Sequence, residues 1–274
     1  MNIRTDLVTE TKQEIKKDID GVQSSEESIG NVNLSTIKIT SDTAGNMLQK
    51  PIGTYCTVSF PRLDFMCDTG DLISATVKAI KTVFDHSFKS ALVVGLGNTD
   101  ITPDALGPLV CDRVLATRHL SDKLKQDLGL KALKSVCCLA PNVLGKTGIE
   151  SYDLISAAVK KTSPDIIIAV DALACRSPER LCKTIQISNS GITAGSGVNN
   201  ARKTLNRQNI GVPVIAIGVP TVIDGNSYLN TTEDMMVTPK EIDLLIEKAS
   251  DILSRAINIF LQPKIDIDII ESLT

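Results

Sequence analysis

The chain has 274 residues, of which 42% are hydrophobic, 22% charged and only 3% aromatic. Lys and Arg number 29 against 32 Asp and Glu, which gives a formal net charge of −3. This charge provides no basic face for nucleic acid, and the absence of Trp removes the strongest platform on which bases stack. The length suits a sizeable core, in one large domain or in one domain with an appendage. No apolar run approaches the length of a transmembrane helix, so no membrane contact is expected.

The cysteines indicate a reducing compartment. There are seven of them, with no CxxC spacing and mostly apolar neighbours, which is typical of reduced, buried thiols in a cytoplasmic protein. The first residues, Met1 to Asp6, contain no apolar segment of the kind found in signal peptides. The two histidines, His86 and His119, form no local pattern with a cysteine, which argues against a cysteine nucleophile.

The N-terminal part of the sequence shows no strong pattern of helices or strands. Residues 7–50 are polar and rich in Ser, Thr, Asp, Glu and Lys, so we expect a weakly packed N-terminal segment with a turn or two of helix within 9–17. A strand is predicted at 55–60. Apolar residues at helical spacing then predict a helix over 72–84.

From residue 90 onward, strands and helices alternate. Strands are predicted at 91–95, 134–140, 165–171, 184–188 and 214–219, and helices at 103–119, 151–161 and 239–260. Such alternation is typical of an α/β fold, a three-layer α/β/α arrangement with a mostly parallel or mixed sheet. We therefore predict a single α/β domain over 51–274.

Two carboxylates follow buried strands of this pattern. Asp104 lies shortly after strand 91–95, and Asp171 closes strand 165–171. If both strands are parallel in one sheet, both side chains reach its carboxyl edge, where open α/β sheets bind ligands. Two acids in one crevice can divide acid and base roles. Thr102 is predicted as the N-cap of the following helix and Pro103 as its first residue, which places Asp104 in the first turn.

A nucleotide-binding site is the first alternative. Residues 140–147 resemble a relaxed Walker A motif, and the strand ending at Asp171 resembles a Walker B strand, as in a P-loop-like NTPase. Two features disfavour this interpretation. Pro141 lacks the N–H that a phosphate loop donates, and Ala140 replaces the flexible first glycine.

Two shorter motifs are explained by local structure. Gly95-Leu96-Gly97 lacks the third glycine of a dinucleotide fingerprint, because Asp100 stands there. The triplet Asp68-Thr69-Gly70 matches pepsin-like proteases but occurs once and precedes a helix, so it is interpreted as a helix start. The glycine-rich segment 191–200 fits equally well a linker or a cleft-lining loop that accepts an extended peptide.

Several longer blocks carry a family resemblance: Gly95–Asn98 with Thr102–Pro108, Ala140–Gly145 with Thr147–Glu150, Ala169–Ala174, Gln186–Ser188, Gly191–Ile192, Gly195–Asn199 and Gly218–Val222. In these blocks the sequence resembles the germination protease family of spore-forming bacteria. The resemblance implies an endopeptidase that degrades small acid-soluble DNA-binding spore proteins during spore germination. It implies Asp104 and Asp171 as the essential acids, and a fold distantly similar to that of hydrogenase-maturation proteases.

The resemblance also has implications for processing and assembly. Arg4 to Leu7 is similar to the family's self-processing site, which implies a zymogen with residues 1–6 as propeptide and cleavage between Asp6 and Leu7. A homotetramer in the cytoplasm of the forespore and spore core is implied, with spore proteins as substrates and no direct contact with nucleic acid.

The remaining site predictions concern metals and the scissile carbonyl. Hydrogenase-maturation proteases use acids and a histidine around nickel, but no histidine follows Asp171 here, so no metal and no cofactor are expected. A metal-dependent maturation-type protease stays the alternative. Candidate donors to the substrate or its carbonyl oxygen are Asn98, Gly195, Ser196, Gly197 and Asn199.

Overall fold

The computed structural model of the protein describes residues 5–15, 18–61, 69–127, 129–193, 203–225 and 235–273. Its strands are β1 (Val22–Ile29), β2 (Val32–Ile39), β3 (Gly53–Ser59), β4 (Ser90–Gly95), β5 (Ser135–Leu139), β6 (Ile166–Cys175), β7 (Thr184–Ser188), β8 (Val214–Asp224) and β9 (Met236–Val237).

The described residues also form helices of different lengths. They are α1 (Val8–Glu14), α2 (Asp42–Leu48), α3 (Gly70–Val83), the 3₁₀ turn η1 (Thr102–Asp104), α4 (Leu106–Asp112), α5 (Asp122–Asp127), α6 (Leu144–Thr147), α7 (Ser151–Thr162), α8 (Arg207–Ile210), α9 (Ile242–Leu261) and α10 (Ile267–Glu271). Over the described ranges, none of these helices has the length and hydrophobicity needed to cross a bilayer.

All nine strands of the described chain belong to one mixed sheet. The order is β1-β2-β3-β7-β8-β6-β4-β5, and β9 pairs with β8. The strands β8, β6, β4 and β5 run parallel, whereas the pairs from β1 to β8 through β3 and β7 are antiparallel. The predicted α/β class is confirmed, and β4 and β6 are parallel neighbours as expected.

Helices cover both faces of the sheet. On one face, Ile166, Ile168 and Val170 of β6 pack in the core formed with α3, α4 and α9. On the other face, Ile167 and Ala169 pack against α7. Because successive strand residues point to opposite faces, one continuous apolar run supplies both cores. The result is the predicted three-layer α/β/α arrangement.

Residues 7–50 differ from the expected weakly packed segment. They form α1, β1, β2 and α2, and β2 joins the main sheet through β3. The apolar residues of β2 are all buried, namely Val32, Leu34, Ile37 and Ile39. The polar composition arises because β1 is an exposed edge strand. Two strands of the sheet therefore come from residues 7–50, and the folded domain does not begin at residue 51.

The helix predicted over 103–119 is shorter and starts differently. Thr102 begins the turn η1 without a side-chain cap bond, and α4 ends at Asp112. The helix ends there because the Asn258 side chain of α9 binds the backbone of the residues that follow α4. The Asn258 side chain accepts from Leu115 N at 3.0 Å and donates to the Arg113 carbonyl at 3.0 Å. Asp104 thus lies just before α4 and not in its first turn.

Strand β6 is longer than predicted. It continues past Asp171 to Cys175 because β8 continues beside it, with Cys175 opposite Ile223. Pairing with β4 stops earlier, at Gly95 and Val170. Asp171 therefore lies within β6, at the first position beyond the end of β4.

Candidate active site

A tight loop after β4 positions Asp104. Gly97 has φ +121°, and a Cβ there would lie 1.9 Å from the Asp104 carbonyl oxygen. The same oxygen accepts from Asn98 N at 3.1 Å. The Asn98 side chain is buried, and its Oδ1 accepts from Asp100 N at 3.0 Å. Glycine is required at position 97 since the loop closes directly onto Asp104.

Two further glycines allow α4 to approach the sheet. A Cβ on Gly107 would lie 2.2 Å from the Leu96 carbonyl oxygen and 2.6 Å from that of Val170. A Cβ on Gly95 would lie 2.2 Å from the Gly107 carbonyl oxygen. The start of α4 is therefore in backbone contact with the ends of β4 and β6, which fixes where η1 and Asp104 stand relative to β6.

Asp171 is placed by β6 at the same edge. It is only 6% exposed, and its Oδ1 accepts from Ala172 N at 2.9 Å. Leu96 N donates to the carbonyl of the preceding residue, Val170, at 2.8 Å. The loop from Leu96 to Asn98 thus bonds to the backbone beside Asp171 at one end and to Asp104 at the other. The structure brings both acids to the carboxyl edge of β4 and β6, where η1 contacts β6 and β8.

A row of residues crosses the sheet from Asp171. Asp171 is in register with Gly218 of β8, which is in register with Gln186 of β7. Residues in register point to the same face, so Asp171 and Gln186 share a face with only a glycine between them. A cavity of about 230 Å³ opens beside this row, lined in part by Lys50, Leu173, Gln186 and Gly218.

The N-terminal segment enters this cavity. Asp6 lines it, and the Asp6 carbonyl oxygen accepts from Gln186 Nε2 at 2.9 Å and from Lys50 Nζ at 3.0 Å. Leu7 is fully buried in a cluster with Leu173, Cys175 and Ile223. The bond between Asp6 and Leu7 is therefore held in the cavity beside the Asp171 row.

Of the residues predicted to donate to the substrate carbonyl, the structure places one in the site. Asn98 lies in the site, with its Oδ1 engaged by the loop itself. Gly195, Ser196, Gly197 and Asn199 lie outside the described residues. The described ends of that segment are close together, since Ile192 and Leu205 exchange backbone hydrogen bonds of 3.0 and 2.8 Å. Gly191 and Thr204 from these ends line the cavity.

The P-loop interpretation gains no support from the geometry. The helix after β5 is α6, with only four residues, and it ends at Gly148. The Lys146 ammonium forms an ion pair with Asp100. The Thr147 hydroxyl donates to the Ile149 carbonyl at 2.9 Å. Of the two residues that would bind phosphate and magnesium, Lys146 is thus paired with the loop after β4 and Thr147 is engaged in the local turn.

The histidines are remote from the acids. His86 precedes the amino end of β4 and His119 precedes the amino end of β5, and both are exposed. They lie at the edge of the sheet opposite Asp104 and Asp171. Within the described ranges, no group of three His, Cys, Asp or Glu side chains is arranged to hold a metal ion.

The buried thiols are poor nucleophiles. Burial raises the pKa of Cys111, Cys175 and Cys182 to about 12 in each case. Since the thiolate is the reactive form, these groups are unreactive at neutral pH. Lys50 and Gln186, by contrast, received no role from sequence reasoning, although Gln186 lies in one of the blocks that carry the family resemblance.

Comparison with known proteins identifies the family. A family model described as germination protease matches residues 2–235. The germination protease of Clostridium perfringens strain 13 is 36% identical over 314 aligned positions, covering 96% of each chain. That of Clostridium tetani is 36% identical and covers 99% of each. That of Bacillus velezensis is 41% identical over 86% of this chain and 67% of its own.

A solved hydrogenase maturation protease also aligns with the chain. It is the [NiFe] hydrogenase maturation protease HycI from Thermococcus kodakarensis, with 18% identity, a TM-score of 0.39, and coverage of 64% of this chain and 94% of that one. The family assignment comes from the sequence relatives, which match nearly the whole chain. The chain belongs to the germination protease family and is a protease.

Proposed function

We propose that this protease is an endopeptidase that degrades small acid-soluble DNA-binding spore proteins during spore germination, and that Asp104 and Asp171 perform the hydrolysis. One observation carries the proposal. Asp104 in η1 and Asp171 within β6 lie at one edge of the sheet, next to a cavity that is lined by Leu173 and Gly218 and holds Asp6. Family membership supplies the peptidase activity, and the paired acids supply a chemistry for it.

The proposed reaction is general acid and base hydrolysis. One carboxylate, in its ionised form, takes a proton from water as the water attacks the scissile carbonyl carbon. The other carboxyl, in its protonated form, hydrogen-bonds the carbonyl oxygen and later protonates the departing amine. Two interacting acids titrate as a pair, so the two roles belong to the pair as a unit.

We further propose that the protein processes itself between Asp6 and Leu7, with residues 1–6 as propeptide. Support comes from the position of this bond, because Asp6 lines the cavity and its carbonyl is held by side chains of the cavity wall. The protein would act in the cytoplasm of the forespore and spore core as a homotetramer, on protein and without direct contact with nucleic acid.

Mapping of cleavage sites tests the proposed substrate. The purified protein is incubated with a small acid-soluble spore protein, and the fragments are identified by mass spectrometry. We expect discrete internal cuts in wild type and none in a variant carrying both Asp104→Asn and Asp171→Asn, since each change keeps the shape and removes the titration. Equal cleavage by the two proteins, or an uncut substrate in both, would reject the proposal.

A further inference from the structure

We propose that Gln186 and Lys50 form the site that binds the scissile carbonyl oxygen and stabilises the negative charge that develops on it. This inference rests on the proposed function, in which Asp6–Leu7 is the self-processing bond. The donors expected from the sequence were Asn98 and the segment 195–199. The side chains that contact the carbonyl of Asp6 come instead from β7 and from the loop after α2.

Gln186 grips the peptide on both sides of this bond. Its Nε2 donates to the Asp6 carbonyl oxygen at 2.9 Å, and its Oε1 accepts from Val8 N at 2.8 Å. A single amide side chain therefore binds the main chain before and after the Asp6–Leu7 linkage. Neither contact involves a side chain of the bound segment, so the same grip suits any extended peptide that lies in the cavity.

Lys50 adds a positive charge at the same oxygen. Its Nζ donates to the Asp6 carbonyl oxygen at 3.0 Å and to the Thr5 carbonyl oxygen at 3.1 Å. The backbone N–H of Lys50 is fixed by the Gly45 carbonyl at 3.0 Å, which ends α2 and aims the side chain into the cavity. A fixed ammonium beside a carbonyl gains most when the oxygen becomes an anion, which is the requirement for catalysis.

Gln186 and Asp171 lie on the same face of the sheet. The two residues lie in register two strands apart, about 10 Å between Cα atoms at the usual strand spacing. Gly218 separates them, and the Leu173 side chain covers it, because a Cβ on Gly218 would lie 2.5 Å from Leu173 Cγ. A peptide held by Gln186 lies on the face that carries Asp171.

The step balances without any further reactant. The water oxygen bonds to the Asp6 carbonyl carbon and gives one proton to the ionised carboxylate. The carbonyl electron pair moves to the oxygen, where Lys50 and Gln186 hold the anion. Collapse breaks the bond to Leu7, whose nitrogen takes a proton from the second carboxyl. The products are the Asp6 carboxyl group and the amine of Leu7.

Self-processing provides the first test. Gln186→Leu and Lys50→Met remove the donors and keep side chains of similar length, while Lys50→Arg keeps the charge. Matched controls are Gln23→Leu and Lys38→Met, at exposed positions of β1 and β2. We expect appearance of the form starting at Leu7, followed by intact mass, to slow about 100-fold in each donor variant, with partial recovery in Lys50→Arg and no change in the controls.

A second assay separates this inference from self-processing. The protein is produced behind a removable fusion that leaves Leu7 first, and a peptide with the sequence of residues 1–12 is offered as substrate. We expect both donor variants to lower kcat far more than they raise KM, and thermal unfolding shows that each variant is folded at the assay temperature. A wild type that never cuts between Asp6 and Leu7 in either assay would reject the processing site. A wild type that cuts there, with unchanged kcat in both donor variants, would overturn the role of Gln186 and Lys50.

Discussion

Asp6 and Ala174 are joined by two hydrogen bonds. The Asp6 backbone N–H donates to the Ala174 carbonyl oxygen at 3.0 Å, and Ala174 N donates to Asp6 Oδ2 at 2.8 Å. The pairing with β4 has ended at Val170, so the N-terminal segment takes the edge of β6 that β4 leaves open. Asp6 is thereby fixed to β6 three residues beyond Asp171.

Replacing Asp6 by Ala should slow self-processing. The change removes the acceptor for Ala174 N and loosens the segment whose carbonyl faces Lys50 and Gln186. A charge-assisted hydrogen bond of this kind is worth about 2 kcal/mol, which corresponds to roughly a 30-fold slower reaction if it is used to position the bond. Asp6→Asn keeps an acceptor oxygen and should lose less. Time courses by intact mass measure both, and equal rates for wild type and Asp6→Ala would contradict the positioning role.

Gly97→Ala should damage the site directly. The new Cβ would lie 1.9 Å from the Asp104 carbonyl oxygen at a φ of +121°, so the loop must move. Strain and overpacking together should cost about 3 kcal/mol or more of unfolding free energy, and activity should be lost with the displacement of Asp104.

Gly129→Ala is the matched control for this change. Gly129 also has a positive φ, +70°, but its Cβ would meet nothing within 4 Å. It should cost only about 1 kcal/mol and leave activity intact. Urea denaturation and peptide cleavage measure the two quantities, and similar losses in both variants would show that backbone strain, and not the contact with Asp104, decides the outcome.

Glu10 fixes the end of β6 through the N-terminal helix. Its carboxylate is buried and accepts from Arg176 N at 2.9 Å and Ser177 N at 3.0 Å. Glu10→Ala leaves two backbone donors without this acceptor and should cost roughly 3 kcal/mol of unfolding free energy. Glu14→Ala removes an exposed partner of Arg176 and should cost less than about 1 kcal/mol. Chemical denaturation compares them, and equal small losses would show that Glu10 does not anchor this segment.

The strands around the site could be predicted from the sequence because they are continuous apolar runs. The run ending at Gly95 became β4, the run from Ile166 became β6, and β7 has the predicted bounds Thr184–Ser188. Both faces of these strands are buried, so their composition alone marks them. The parallel pairing of β4 and β6, which the structure confirms, places Asp171 and the loop that carries Asp104 at one edge.

The contribution of residues 7–50 and the role of Gln186 depend on pairing that the sequence does not encode locally. The segment around β1 is polar because it forms an exposed sheet edge, and its link to the core is the alternation in β2. Gln186 lies on the same face of the sheet as Asp171 because β7 pairs antiparallel with β8, in a register that places Gly218 between the two residues. Such a register is set by tertiary contacts and is not visible in the pattern of a single strand.

The buried thiols predict how stability depends on pH. Burial raises the pKa of Cys175 and Cys182 from 9.0 to about 12, so above pH 9 the unfolded chain loses these protons and the folded protein keeps them. The stabilisation is complete below pH 9 and falls as the pH rises toward 12, by up to about 1.4 kcal/mol per pH unit for each thiol.

Urea denaturation between pH 8 and 11 tests this dependence. The variant Cys175→Ala, Cys182→Ala should be less stable at pH 8 because of the lost packing, and its free energy of unfolding should fall less steeply above pH 9 than that of wild type. Parallel curves for the two proteins would show that these thiols ionise equally in both states.

The most direct test of the account compares Asp104→Asn and Asp171→Asn, measured separately, on the peptide with the sequence of residues 1–12. Each protein is prepared with Leu7 first, so that processing history does not differ, and folding is verified by thermal unfolding. We expect each substitution to lower kcat by at least about 100-fold, because each removes one of the two proton-transferring groups. Wild-type kcat in either folded variant would contradict the proposed catalytic pair.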